Sequence, residues 1–232
     1  MQLPRLLGAQ GLSPMAGAVQ LYGLARSVYT RMARLALEEK GVPYTLHEVE
    51  IFGSDGVPAA HWVRHPFGRI PAFEHGTFKL YETGAITRYV DEAFEGPALQ
   101  PRDGAQRARV NQIVGLLDAY AYRPMVWGVT VERMRAVADG ELRDEAKIAD
   151  SLRSAARVLD ALDGLMHADG PHLLGVEITL ADLHAYPILA CFAFAPDGLA
   201  LLKTHGALWR WLQTMQQRPS VQRTRSVFDA AR

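Results

Sequence analysis

Gly68-Arg69-Ile70-Pro71-Ala72-Phe73-Glu74, followed closely by Leu80-Tyr81-Glu82-Thr83-Gly84-Ala85-Ile86, decides how the rest of the chain reads. Ile70 precedes a proline and is pushed into extended backbone. Pro71 lacks an N–H and fits only the first residue or the edge of a strand. A short apolar run after Pro71 therefore reads as a strand entered through a turn, and Phe78-Lys79-Leu80-Tyr81 reads as a second. Glu74-His75-Gly76-Thr77 joins them, with Gly76 supplying the left-handed position of a hairpin. Thr83 is placed to cap a helix running through Ile86, Tyr89 and Val90.

Upstream, Val19-Gln20-Leu21-Tyr22 reads as a strand ended by Gly23. Ser27 to Lys40 carries Val28, Met32, Leu35 and Ala36 at helical spacing, and Gly41 and Pro43 stop it. Thr45 to Ile51 reads as a strand with Val49 and Ile51 on one face, and Ala59 to Arg64 as a short helix. A strand–helix–strand unit followed by a hairpin predicts a mixed sheet with a parallel and an antiparallel pair. Beyond the Pro- and Gly-containing linker around Glu95 to Gly104, the pattern turns helical. Helices are expected over Ala105 to Tyr122 (ended or kinked near Pro124), Leu142 to His167, Leu180 to Phe194 and Leu208 to Gln217. Three units follow: a loose extension over 1–17, a sheet domain over 18–100 and an all-helical domain over 103–232.

Composition bounds the function. The 232 residues are 49% apolar and 22% charged, ordinary for a globular chain able to bury a core. Lys+Arg and Asp+Glu are 25 each, so nothing marks a nucleic-acid binder, which more often carries a basic stripe. The single cysteine, Cys191, excludes an internal disulfide and fits a reducing, cytoplasmic setting. It lies in an apolar helical pattern, as an inert buried thiol does. No run approaches a membrane span. The start Met1 to Gly17 is too broken by glycine for a secretory signal, and Met15 is an alternative first residue. His61 and His65 stand four apart across a helix that Pro66 breaks, and no metal site is expected.

Pro66-Phe67-Gly68-Arg69-Ile70-Pro71-Ala72-Phe73-Glu74 with Leu80-Tyr81-Glu82-Thr83 resembles the glutathione-binding half of cytosolic glutathione transferases, in particular the phi-type branch. Thr179-Leu180-Ala181-Asp182-Leu183-His184-Ala185-Tyr186-Pro187 is similar to the capping box and staple of that family's helical domain. The resemblance runs from about Val19 to Gln222. It implies an α/β thioredoxin-like N-terminal domain followed by an all-α C-terminal domain. It implies a cis Ile70-Pro71 bond, with Arg69, Ile70 and Pro71 along the co-substrate glutathione and Glu82 and Thr83 at its γ-glutamyl end. A small hydrophobic electrophile as second substrate, a homodimer, and no nucleic-acid or membrane partner are further implications. The activity implied is conjugation of the glutathione thiolate to that electrophile. A non-catalytic binding module, or a glutathione-dependent isomerase, dehalogenase or peroxidase, shares the same fold.

Ser27 is the chemical candidate. By position alone it reads as a helix cap. Tyr22-Gly23-Leu24-Ala25-Arg26-Ser27-Val28-Tyr29-Thr30-Arg31 resembles the phi-type segment whose serine meets the glutathione sulfur, with Tyr22 and Tyr29 as competitors. A hydroxyl at a helix N-terminus stabilises a thiolate by donation and by the partial positive charge there. Tyr120, Met125 and Trp127, near Pro124, read as core by spacing and as lining of the electrophile pocket by resemblance. There are departures. The family often has glutamine or lysine where Arg69 stands. Its usual His-Lys pair, which would hold the glycine carboxylate, is missing, the region reading Gly56-Val57-Pro58-Ala59-Ala60-His61.

Overall fold

The computed structural model describes residues 17–138, 143–167 and 169–229. The expected extension over 1–17, Met15 included, lies outside them apart from Gly17. Strand β1 (Val19–Tyr22) leads through helix α1 (Val28–Lys40) to β2 (Tyr44–His47). A short α2 (Ala59–Trp62) precedes the hairpin β3 (Ala72–His75) and β4 (Phe78–Tyr81), and α3 (Thr83–Ala93) follows it. The sheet order is β2-β1-β3-β4. β1 is parallel to β2, with Leu21 opposite Leu46, and antiparallel to β3, with Leu21 opposite Phe73. β3 and β4 pair Phe73 with Leu80, and Gly76 turns between them at a φ of 58°.

Two expectations change here. The second strand stops at His47 instead of reaching Ile51. The carboxylates that follow are taken by other amides: Ala25 N–H, in the loop before α1, donates to Glu48 at 3.2 Å, and Phe52 N–H, two residues on, donates to Glu50 at 2.8 Å. Side-chain acceptors of this kind compete with a strand ladder. At the start of α3 the cap residue is Glu82, and Thr83 is the first helical residue.

The helical part contains α4 (Gly104–Leu116), α5 (Glu132–Ala138), α6 (Glu145–Leu165), α7 (Leu180–Phe194), α8 (Pro196–Lys203), α9 (Gly206–Gln216) and α10 (Pro219–Arg223). The short α8 and α10 were not anticipated. Pro124 does not end the first of these helices. The chain runs on from α4 through two π-helical stretches, Leu117–Ala121 and Arg123–Val131, into α5. Pro124 stands at the start of the second stretch, where the wider π turn replaces the ladder that a proline would break.

Helix α7 is apolar on every side and buried from Leu180 to Ala193, the signature of a central core helix. Its first turn is fixed by the predicted capping box. Buried Asp182 accepts from Thr179 N–H at 2.9 Å, Leu173 N–H at 2.8 Å and the Trp211 indole at 2.9 Å. Among the described residues no single helix is long and apolar enough to cross a membrane.

α7 also packs on α1, so it joins the two halves. His184 of α7 and Thr87 of α3 share a buried hydrogen bond of 2.9 Å. At the far end of α1, Arg218 holds Glu39 through two guanidinium nitrogens at 2.8 and 2.9 Å. These contacts hold the head of α1, where Ser27 stands, in a fixed place against the helices.

Candidate active site

A cleft of about 730 Å³ opens between the sheet half and the π-helical stretch. Ser27, Arg69, Ile70, Pro71, Glu82 and Thr83 all line it. So the hairpin motif and the head of α1, about forty residues apart in sequence, meet on one wall.

Each of these residues has a local cause. Ser27 is the N-cap of α1, and its Oγ accepts from Thr30 N–H at 3.4 Å. The cap occupies a lone pair of the oxygen and leaves the hydroxyl proton free to donate. The Ile70-Pro71 bond is cis, as the resemblance implied. Beside it, the His61 imidazole bonds the Arg69 carbonyl oxygen at 2.6 Å, tying the loop to α2. Gly68 has a φ of 59°, and a Cβ there would meet the Trp62 ring at 2.8 Å, so only glycine fits.

Glu82 is the strained member. Its φ of 69° and ψ of 113° are outside the regions an L-residue favours. Its carbonyl accepts the Ala85 and Ile86 amides at 3.0 Å, which starts α3. The amides of Thr83 and Gly84 are the first of that helix and have no partner within it. A non-glycine residue in such backbone costs about 1–3 kcal/mol and is a mark of functional sites.

Residues 21–98 match the family described as glutathione S-transferase, N-terminal domain, and residues 124–219 match glutathione S-transferase, C-terminal domain. Glutathione S-transferase 4 of Zea mays is 30% identical over 203 residues, covering 88% of this chain and 90% of the relative. The chain belongs to the glutathione S-transferase family.

Glutathione S-transferase F12 of Arabidopsis thaliana is similar at 28% identity, covering 87% of this chain and 94% of its own. The crystal structure of glutathione transferase F7 from Populus trichocarpa superposes with a TM-score of 0.78 at 25% identity, covering 89% and 97% of the two chains. The expected thioredoxin-like half followed by a helical half is thus the fold of this family member.

The helical wall of the cleft differs from expectation. Trp127 lines it, as read from the sequence. Tyr120 does not: it is exposed on the other side of the helix, beside Leu116, Pro124 and Arg157. Met125 is fully buried in the core and does not reach the cleft. Instead Asp118, Tyr122 and Arg123 take part, with Ile51, Phe52, His65 and Phe67 from the sheet half. The rings of Phe52 and Trp127 approach across the cleft, centroids 5.7 Å apart.

Of the two tyrosines that compete with Ser27, Tyr22 lies elsewhere. Its ring stacks on His47, carries Arg64 above it, and its hydroxyl donates to Glu74. Tyr29 does line the cleft, packed on Tyr122 with centroids 4.6 Å apart. Its phenol is pushed upward by burial first and then by the Asp118 charge it faces, so it stays neutral. Burial also lowers the imidazole of His65, keeping it neutral in the wall. Gly56 and Val57 lie outside this cleft, whose lasting positive charges are Arg69 and Arg123.

Proposed function

We propose that this protein conjugates the thiolate of glutathione to an electrophilic, mostly hydrophobic small molecule. One observation carries the reading: all six residues that the resemblance assigns to glutathione line a single cleft, which also carries aromatic rings. Ser27 donates to the sulfur from the head of α1, where the helix adds partial positive charge. The backbone at Ile70 holds the cysteinyl part. The γ-glutamyl carboxylate lies on the Thr83 hydroxyl and the free amides of α3, and Glu82 takes its ammonium group. Arg69, in place of the missing basic pair, meets the glycine carboxylate. The electrophile lies on Trp127, Phe52 and Tyr122.

The reading includes a glutathione-binding domain over 18–100, a helical domain over 103–232, a cytoplasmic setting and a homodimer. Exposed Phe67 and Tyr81 pack edge to face, and an apolar surface of this kind fits a second copy. Because Phe67 also lines the cleft, the second copy would complete its rim.

The test is the ultraviolet thiolate absorbance of bound glutathione, titrated with pH, together with turnover of an aryl halide. The bound thiol is expected to ionise well below its free value of about 8.5. Ser27→Ala is expected to raise that value and lower kcat/KM about 10²-fold, the usual loss for one donor to a developing anion. An unshifted thiol in the wild type would mean a module that holds glutathione without activating it. Unchanged turnover in Ser27→Ala would remove Ser27 from the chemistry.

A further inference from the structure

The head of α1 is gripped by a buried ion pair that stands outside the cleft. Arg31 closes the first turn of this helix, its N–H donating to the Ser27 carbonyl at 2.9 Å. Its side chain is buried and takes no part in lining the cleft. One guanidinium nitrogen donates to Asp229 Oδ1 at 2.9 Å, and the other stands 2.8 Å from Oδ2. The same nitrogens reach Ser226 Oγ at 3.5 Å and the Val221 carbonyl at 3.4 Å. The Tyr186 ring of α7 lies 5.0 Å from the guanidinium carbon.

Asp229 is itself oriented. The Tyr186 hydroxyl donates to Oδ1 at 2.7 Å, and the Ser226 N–H donates to Oδ2 at 2.7 Å. Asp229 ends a short turn, Val227–Asp229, which Phe228 seats against the Phe194 ring of α7, centroids 5.6 Å apart. Earlier in the same segment, Arg218 bonds Glu39 and Arg223 bonds Glu38, both in the last turn of α1. Residues 218–229 therefore run back along α1 from its last turn to its first, and the Arg31–Asp229 pair is the end of this brace nearest Ser27.

We propose that Arg31 and Asp229 are positioning residues for the thiolate: the pair fixes the first turn of α1, and with it the Ser27 hydroxyl, against the glutathione sulfur. Stability alone is a poor reason for such a pair, because well-packed apolar residues serve a buried site as well or better. What a forked guanidinium on a carboxylate adds is orientation, two contacts that fix an angle as well as a distance. Orientation matters at this turn, since a hydroxyl about 1 Å out of place forfeits much of its stabilisation of the anion. The pair is neutral as a whole, so it acts through geometry and not through its field.

This inference rests on the proposed transferase reading, and the experiment separates the two. The thiolate absorbance of glutathione bound to the full chain is titrated with pH, and turnover of an aryl halide is followed alongside. Arg31→Met with Asp229→Asn removes the grip and leaves no buried charge unpaired. At saturating glutathione it should hold about 10-fold less thiolate at pH 7 and lower kcat about as much, with KM for the halide unchanged. Arg31→Lys keeps the charge and loses the fork, so it should shift the thiol the same way by less. It also carries the test if the double variant does not fold. Met125→Ala, a core deletion that leaves the brace intact, is the control for general loosening and should leave the bound thiol where it is. A bound thiol unmoved in the double variant, wild-type behaviour in Arg31→Lys, or an equal shift in Met125→Ala would overturn the positioning role and leave the transferase reading standing. A wild type whose bound thiol is unshifted would overturn both.

Discussion

The two walls of the cleft were built by different kinds of sequence information. On the sheet side, Ser27, Arg69, Ile70, Pro71, Glu82 and Thr83 stand together as the motif implied. On the helical side, one of three expected residues, Trp127, reaches the cleft. The first wall is made by backbone: a proline-led strand entry, a two-residue turn, two helix heads. Such features are written in local residue types. The second wall is made by helix phase, where each residue turns the side chain by about 100° and a change of period redirects all that follow. The π-helical stretches change that period in the segment that faces the cleft. This is why Tyr120 ends outside and Met125 ends in the core.

The difference predicts opposite responses on the helical wall, and this is the largest effect expected. Met125→Ala should destabilise the protein by about 3 kcal/mol, the usual cost of deleting a buried side chain of this size. Trp127→Ala should instead raise KM for the electrophile several-fold and move the urea midpoint little. Urea unfolding and steady-state kinetics on the two variants read both quantities. If Met125→Ala chiefly raised KM, the assignment of Met125 to the core would fail.

Much of the fold was legible for the same reason. Gly41 and Gly76 take left-handed backbone where the turns were expected, and the Thr179–Asp182 box starts α7 at the residue read from sequence. Less legible were features set by tertiary partners. Glu48 and Glu50 end β2 by bonding other amides, which alternation in Val49 and Ile51 does not reveal. Asp118 could have been found only by its spacing to Tyr122, since a lone aspartate on a helix reads as a solvated face. Glu82 was read as a partner to a cap at Thr83, because nothing in composition announces a glutamate at positive φ.

The seam between the halves gives the next effect. His184 is wholly buried on α7 against Thr87 of α3, and burial holds its imidazole far down, at about 3. In the unfolded chain a histidine titrates near about 6.5. Below that value the unfolded state binds a proton that the folded state refuses. Stability is therefore full above about pH 6.5 and falls as pH drops, by about 1.5 kcal/mol between pH 6.5 and 5 from this residue. The window lies above the range where Glu39, held low against burial by Arg218 and Ser220, takes up its proton. His184→Gln keeps a donor toward Thr87 and cannot titrate. Its stability should be flatter than the wild type's across that window in urea unfolding. An identical slope in both proteins would show that the seam opens before His184 is protonated.

The smallest effect tests the strained residue of the legible wall. Glu82 combines a carboxylate in the cleft with backbone that glycine adopts freely and alanine does not. Glu82→Ala removes the carboxylate and keeps the strain. Glu82→Gly removes both, at the cost of a more flexible unfolded chain. Strain relief of about 1–2 kcal/mol against about 0.5–1 kcal/mol of unfolded-state entropy leaves Glu82→Gly about 1 kcal/mol more stable than Glu82→Ala. Both variants should lose glutathione affinity to a similar degree, measured by calorimetry. A glycine variant that gained stability and kept its affinity would mean that the carboxylate does not touch glutathione. The strain at Glu82 would then serve only to aim the first amides of α3 into the cleft.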